Sequence, residues 1–125
     1  MPLQKPAEKA YGKLDGAVLF GLTKSGEVGP GEWLWAEFKE GQCAAVDRLK
    51  DSSGVKGRFD LTLPGDPEPD RLMDVRAVAK EGTTVVAGQE LEAVKSKRIV
   101  FAGDESFFIR FTPELLALIA DVFAL

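Results

Sequence analysis

The chain has 125 residues, 45% of them hydrophobic, which suits one compact domain over 1–125 and leaves no room for a second core. Sixteen Lys and Arg stand against 20 Asp and Glu, and the net charge of −4 argues against non-specific attraction of the whole molecule to nucleic acid or anionic lipid. With no histidine and one cysteine, Cys43, an intramolecular disulfide, an ordinary zinc site and a histidine-based nucleophilic triad are excluded, so no cofactor and no catalytic role are expected.

Lys5–Leu14 reads as a short N-terminal helix, started by Pro6 and interrupted by Gly12. Ala17–Thr23 reads as a buried strand. Ser25-Gly26 and Gly29-Pro30-Gly31 then break the chain; the second is no phosphate loop, because Pro30 lacks an N–H and no helix start follows. Glu32–Phe38 alternates, placing Trp33 and Trp35 on one face of a strand and Leu34, Ala36 and Phe38 on the other. Cys43, Val46 and Leu49 recur at helical spacing, so a second helix fits 42–50 best, with a strand after the Lys39-Glu40-Gly41 turn as the alternative.

Arg58–Leu63 alternates as a strand and leads into an acidic segment, Asp66, Glu68, Asp70 and Asp74, set around Pro64, Pro67 and Pro69. Met73, Val75, Ala77 and Ala79 favour a strand within 71–80, although Asp70 and Gly82 would suit the ends of a helix. Thr83–Ala87 is rich in β-branched residues and would pair back as a hairpin, and Leu91–Lys95 makes a weaker strand. Ile99–Phe101 is a strand, Gly103-Asp104 a two-residue turn, and Phe107, Ile109 and Phe111 one face of the returning strand. Thr112 would cap a last helix with Pro113 and Glu114 in its first turn. Beyond Leu115 only Asp121 is charged, so this helix belongs to the core and to a possible dimer interface. The sum is an α+β fold: an antiparallel meander sheet flanked by N- and C-terminal helices.

Candidate chemistry is sparse. Glu32, Glu37 and Glu40 near Trp33 and Trp35 could form a sugar site, but acids alternating with apolar residues are what any half-exposed strand displays. Lys95, Lys97 and Arg98 form a basic cluster whose plain reading is a solvated sheet edge. Cys43 reads as a small buried hydrophobe. No charged start precedes an apolar run, and no stretch reaches the roughly 20 apolar residues of a membrane span, so a cytoplasmic location without membrane insertion is expected.

The element order resembles profilin, a small actin-monomer-binding family. The residues carrying the resemblance are Ala17–Thr23, Ser25-Gly26-Glu27-Val28 and Trp33 or Trp35 at the opening, and Val75–Gly88, Glu92–Lys97, Arg98–Ala102 and the Thr112-Pro113 helix at the close. The resemblance implies an actin or actin-like partner met by Lys95, Lys97, Arg98, Glu114 and Asp121. It also implies a groove for proline-rich peptides lined by Tyr11, Trp33, Trp35 and Phe123. Two other classes fit the pattern. The order also resembles the roadblock fold, whose members dimerise and regulate small GTPases, and Trp33 and Trp35 with the basic cluster would suit single-stranded nucleic acid, against the acidic balance.

Overall fold

The structure is a computed structural model that describes residues 3–6, 8–23, 30–50, 54–57, 71–80, 83, 85, 86 and 88–123. Its strands are β1 (Gly16–Thr23), β2 (Pro30–Lys39), β3 (Gln42–Leu49), β4 (Val55–Gly57), β5 (Arg71–Met73), β6 (Val75–Ala79) and β7 (Ile99–Gly103). Its helices are α1 (Glu90–Lys95), between β6 and β7, then α2 (Glu105–Arg110) and α3 (Thr112–Val122).

A five-stranded sheet runs β3-β2-β1-β6-β7, and β4 pairs with β5 apart from it. The fold is therefore α+β, but the sheet is mixed and not a meander. β1 pairs antiparallel with β2 and parallel with β6, with Val18 opposite Val75 and Leu22 opposite Ala79. The side chains alternate as each strand requires. Val18, Phe20, Leu22, Leu34, Ala36, Phe38, Val75, Ala77, Ala79 and Ile99 join Leu115, Leu118, Ile119 and Val122 of α3 in the main core. On the opposite face Ala17, Leu19, Trp33, Trp35 and Met73 form a second cluster, joined by Leu49 and Val55.

Asp74 pins the return of the chain. Its carboxylate accepts from the Ala17 N–H at 2.9 Å, its own N–H donates to the Ala17 carbonyl, and its carbonyl accepts from Asp104 N–H. Asp74, one of the acids grouped around the prolines in sequence, is thus 8% exposed and hydrogen-bonded, as a buried polar group must be.

Several expectations fail for identifiable reasons. The described residues of 5–14 form no helix. Leu3, Tyr11 and Leu14 are buried, and this strap is tied by Gln4 N–H to Val122, Tyr11 N–H to Gly41 and Gly41 N–H to the Leu14 carbonyl. Residues 42–49 form a strand. Phe38 pairs with Cys43 but Glu37 with Ala45, so Ala44 is an extra residue, and this bulge puts Cys43 and Val46 on one face three positions apart, mimicking helical spacing.

Asp104 is no hairpin turn residue; its carboxylate accepts from the N–H groups of Ser106 and Phe107 and starts α2. Phe107 and Phe111 still meet, with ring centroids 4.9 Å apart, because a separation of four suits a helix as well as a strand. Ile109 between them is 74% exposed. Thr112 does not cap α3; its hydroxyl donates back to the Phe108 carbonyl at 2.6 Å. Leu91–Lys95 lies in α1, whose acidic first turn and terminal Lys95 match the helix dipole. Val85 donates to the Phe123 carbonyl, so its segment docks on the end of α3, and the described residues of 83–87 join no strand. The expected strand at 58–63 and the proline loop lie outside the described residues. A strap in place of the first helix, a strand in place of the second and a parallel β1–β6 pair together overturn the profilin-like element order.

Candidate functional site

The residues expected to meet an actin-like partner do not share a surface. Lys95, Lys97 and Arg98 are exposed at the corner between α1 and β7. Glu114 and Asp121 lie on the flank of α3 that faces the N-terminal strap. Asp121 accepts from the Tyr11 hydroxyl at 2.5 Å and pairs with Lys9 at 3.3 Å, while Glu114 lies so close to Gly12 that a β-carbon there would come within 2.6 Å of its Oε1. Asp121 thus tethers the strap, while Glu114 only lies against it.

The four expected groove aromatics are split between two cores. Tyr11 packs edge-on against Phe38, and Phe123 edge-on against Phe20, on the helix-covered face. Trp33 and Trp35 lie on the other face, 9% and 2% exposed. The Arg71 guanidinium sits 5.5 Å from the Trp35 ring and pairs with Asp47 at 2.5 Å. No polyproline groove joins side chains on opposite sides of a sheet, and buried indoles give nucleic-acid bases no platform. The same burial removes the sugar-site reading, since Glu32 faces Arg48 at 3.9 Å and Glu37 and Glu40 point to solvent with no exposed indole beside them. Burial also lifts the Cys43 thiol above its ordinary pKa, against a smaller lowering by a backbone hydrogen bond with Ala45, and the net rise disfavours thiolate chemistry.

What remains is a seam along the β7 side of the main core. Val94 of α1, Phe101 of β7, Phe108 of α2, and Leu116 and Ala120 of α3 pack against that core but stay half-buried. α3 turns Leu115, Leu118, Ile119 and Val122 inward, so Leu116 and Ala120, four apart, fall on the flank away from the strap. The Phe101 and Phe108 rings lie 5.0 Å apart at 52°. Beside them opens a cleft of about 70 Å³, lined by Val75, Phe101, Phe108 and residues 102–105.

Its polar rim is nearly spent. Asp104 is occupied in capping α2, and Glu105 is exposed. Sequence reasoning missed the seam because it placed Phe108 on the outer face of a strand. The available signal was the Phe107-Phe108-Ile109 run, too apolar for a strand with one wet face. Among the described residues no group of three His, Cys, Asp or Glu is placed to hold a metal, and no helix is long and apolar enough to cross a membrane.

No protein-family model matches the chain, and no curated protein does. Among solved structures it is similar to a UbiJ-SCP2 ubiquinone synthesis protein, at 19% identity and a TM-score of 0.41 over 86% of this chain and 71% of that one. It is also similar to a conserved hypothetical protein of Thermus thermophilus, described as a candidate sterol carrier protein, at 11% identity and a TM-score of 0.45 over 99% and 96% of the two chains. Neither is a profilin. The observed element order and the dispersed site residues overturn the expectation of an actin-binding cytoskeletal protein. The roadblock alternative gains no support either, because Leu115, Leu118, Ile119 and Val122 of α3 are buried within its own chain. Superpositions this loose carry no function across.

Proposed function

We propose that this chain is a non-catalytic binding protein for a flexible apolar chain of the lipid class, received in the seam between β7 and the helices α2 and α3. The observation that carries the reading is the half-burial of Phe101 and Phe108 against the main core beside an apolar cleft. Two aromatic rings held 5.0 Å apart at the mouth of an apolar cleft can part without breaking any backbone pairing. Ligand pockets of drug size occupy about 300–1,000 Å³, so the cleft of about 70 Å³ admits a ligand only as the rings swing aside. A narrow slot of this kind favours a single acyl or polyprenyl chain over a rigid polycycle. Seam side chains supply no nucleophile and no acid–base pair, which supports binding without reaction.

Titration with a fluorescent polyene fatty acid tests it. Emission should rise saturably, unlabelled fatty acid should displace the probe, and Phe108→Asp should abolish the signal with the fold intact by circular dichroism. No enhancement with the wild type, or equal enhancement with Phe108→Asp, would overturn the reading.

A further inference from the structure

The α1–β7 corner gathers four cations on a chain that is acidic as a whole. Lys95 ends α1, Lys97 and Arg98 form the turn, and Lys80 is brought alongside by its N–H bond to the Arg98 carbonyl at 3.0 Å. All four are exposed, and no ion pair joins them among the described residues; Arg98 Nε donates to the Ser96 hydroxyl. Next to them Leu91 is 50% exposed, one helical turn from Lys95 on the same side of α1, and Val86 is 53% exposed just before the helix. A recess of about 540 Å³ runs along this side, lined by Gly88, Gln89, Leu91, Glu92 and Lys95.

The backbone supplies an independent sign. α1 ends with Lys97 in the left-handed region at φ 61°, while the Arg98 N–H reaches back to the Ala93 carbonyl at 3.0 Å. This is the helix-end position at which glycine is favoured and a β-carbon is strained. Lysine there keeps a charge at the expense of conformational ease, and such outliers concentrate at functional sites.

We propose that this corner docks the protein on an anionic membrane surface, Lys80, Lys95, Lys97 and Arg98 meeting lipid phosphates while Leu91 and Val86 enter the headgroup boundary. The charge is complementary: on a net −4 molecule this corner sets four cations against Glu90 and Glu92 of the first turn of α1, and the local positive excess orients it toward a negative surface. The neighbouring side chains favour lipid over nucleic acid. They are aliphatic, and no aromatic ring among the described residues is among the exposed large hydrophobics, so bases would find nothing to stack on. The inference stands apart from the seam reading, because vesicle binding reads the corner alone and free fatty-acid binding reads the seam alone.

Co-sedimentation with vesicles of phosphatidylcholine alone, of phosphatidylcholine mixed with phosphatidylglycerol, and a single-stranded oligonucleotide titration make the test. Wild-type protein should sediment with the anionic vesicles, release with added salt, and ignore neutral vesicles and the oligonucleotide. Replacing Lys95, Lys97 and Arg98 together by Gln should weaken vesicle binding about a hundredfold, at about fivefold per cation. Lys97→Gly separates docking from a merely structural role: it should raise the melting temperature by about 4 °C and still weaken vesicle binding about fivefold. Wild-type protein left in the supernatant at low ionic strength, a triple variant that binds as well as wild type, a stabilised Lys97→Gly that binds unchanged, or tight oligonucleotide binding without vesicle binding would each overturn the proposal.

Discussion

The two edges of the five-stranded sheet are finished in different ways. Beside β2 and β3 the core is sealed: Leu3, Tyr11 and Leu14 are buried, Tyr11 and Gly41 exchange backbone bonds with their neighbours, Arg48 donates to the Leu3 carbonyl at 2.6 Å, and Asp121 holds both Tyr11 and Lys9. Along β7 the tethers sit only at its two ends, Arg98 N–H on the Ala93 carbonyl and Asp104 N–H on the Asp74 carbonyl, and the side chains between them are apolar. Phe101 and Phe108 are half-buried, and Val100 and Ile109 are 51% and 74% exposed. Polar tethers fix an edge in one geometry, because releasing them strands buried donors and acceptors. Dispersion contacts between half-exposed rings yield at smaller cost. An apolar ligand therefore enters this fold most cheaply at β7.

That contrast is open to attack from both sides. The largest expected effect is at the sealed edge. Gly41→Ala forces a β-carbon onto the Gly12 carbonyl oxygen at a φ of +83°, and should destabilise the protein by more than about 3 kcal/mol in chemical denaturation. A loss below about 1 kcal/mol would mean that the strap is not clamped. Tyr11→Phe keeps the ring on Phe38 but removes the bond to Asp121, for an expected loss of about 1.5 kcal/mol.

At the open edge the same measurement should show little. Phe108→Ala should cost about 1 kcal/mol, and Ile109→Ser should fall within about 0.5 kcal/mol of wild type. A Phe108→Ala loss matching that of a fully buried Phe, about 3–5 kcal/mol, would make the seam ordinary core. The smallest effect concerns Cys43 on β3. Its pKa is raised, so less thiolate is present at neutral pH than for a free cysteine, and alkylation should be slow until the pH is brought higher. Alkylation at the rate of a free thiol would show the sealed edge to be loose.

The legible parts of the sequence were those where one periodicity had no rival. β1 and β2 are read correctly because the Trp33 and Trp35 alternation against Leu34, Ala36 and Phe38 fits only a strand buried on both faces. β7 follows from its Ile99–Phe101 run, and β6 from the Val75, Ala77 and Ala79 alternation that favours a strand over the helix that Asp70 and Gly82 left open within 71–80. β3 is misread because a single bulge at Ala44 turns a period of two into an apparent period of three. α2 is misread because Phe107 and Phe111 satisfy both periods, and only the helix-capping bonds of Asp104 decide between them. The parallel return of β6 beside β1 depends on the long-range hold of Asp74 on Ala17, fifty-seven positions away, which no local pattern announces. The candidate site suffers most. The two tryptophans are visible in sequence, but their cover, Val55 and Met73, comes from distant segments, and the cleft exists only where β6, β7 and α2 meet.

Nuclear magnetic resonance titration of a saturated fatty acid into isotope-labelled protein tests the opening of the β7 edge most directly. Chemical-shift changes should be confined to Val94, residues 99–108, Leu116 and Ala120, with Tyr11, Gly41 and Asp121 unmoved. Changes centred instead on the strap or on Trp33 and Trp35, or no changes at saturating ligand, would contradict an edge that opens to an apolar chain.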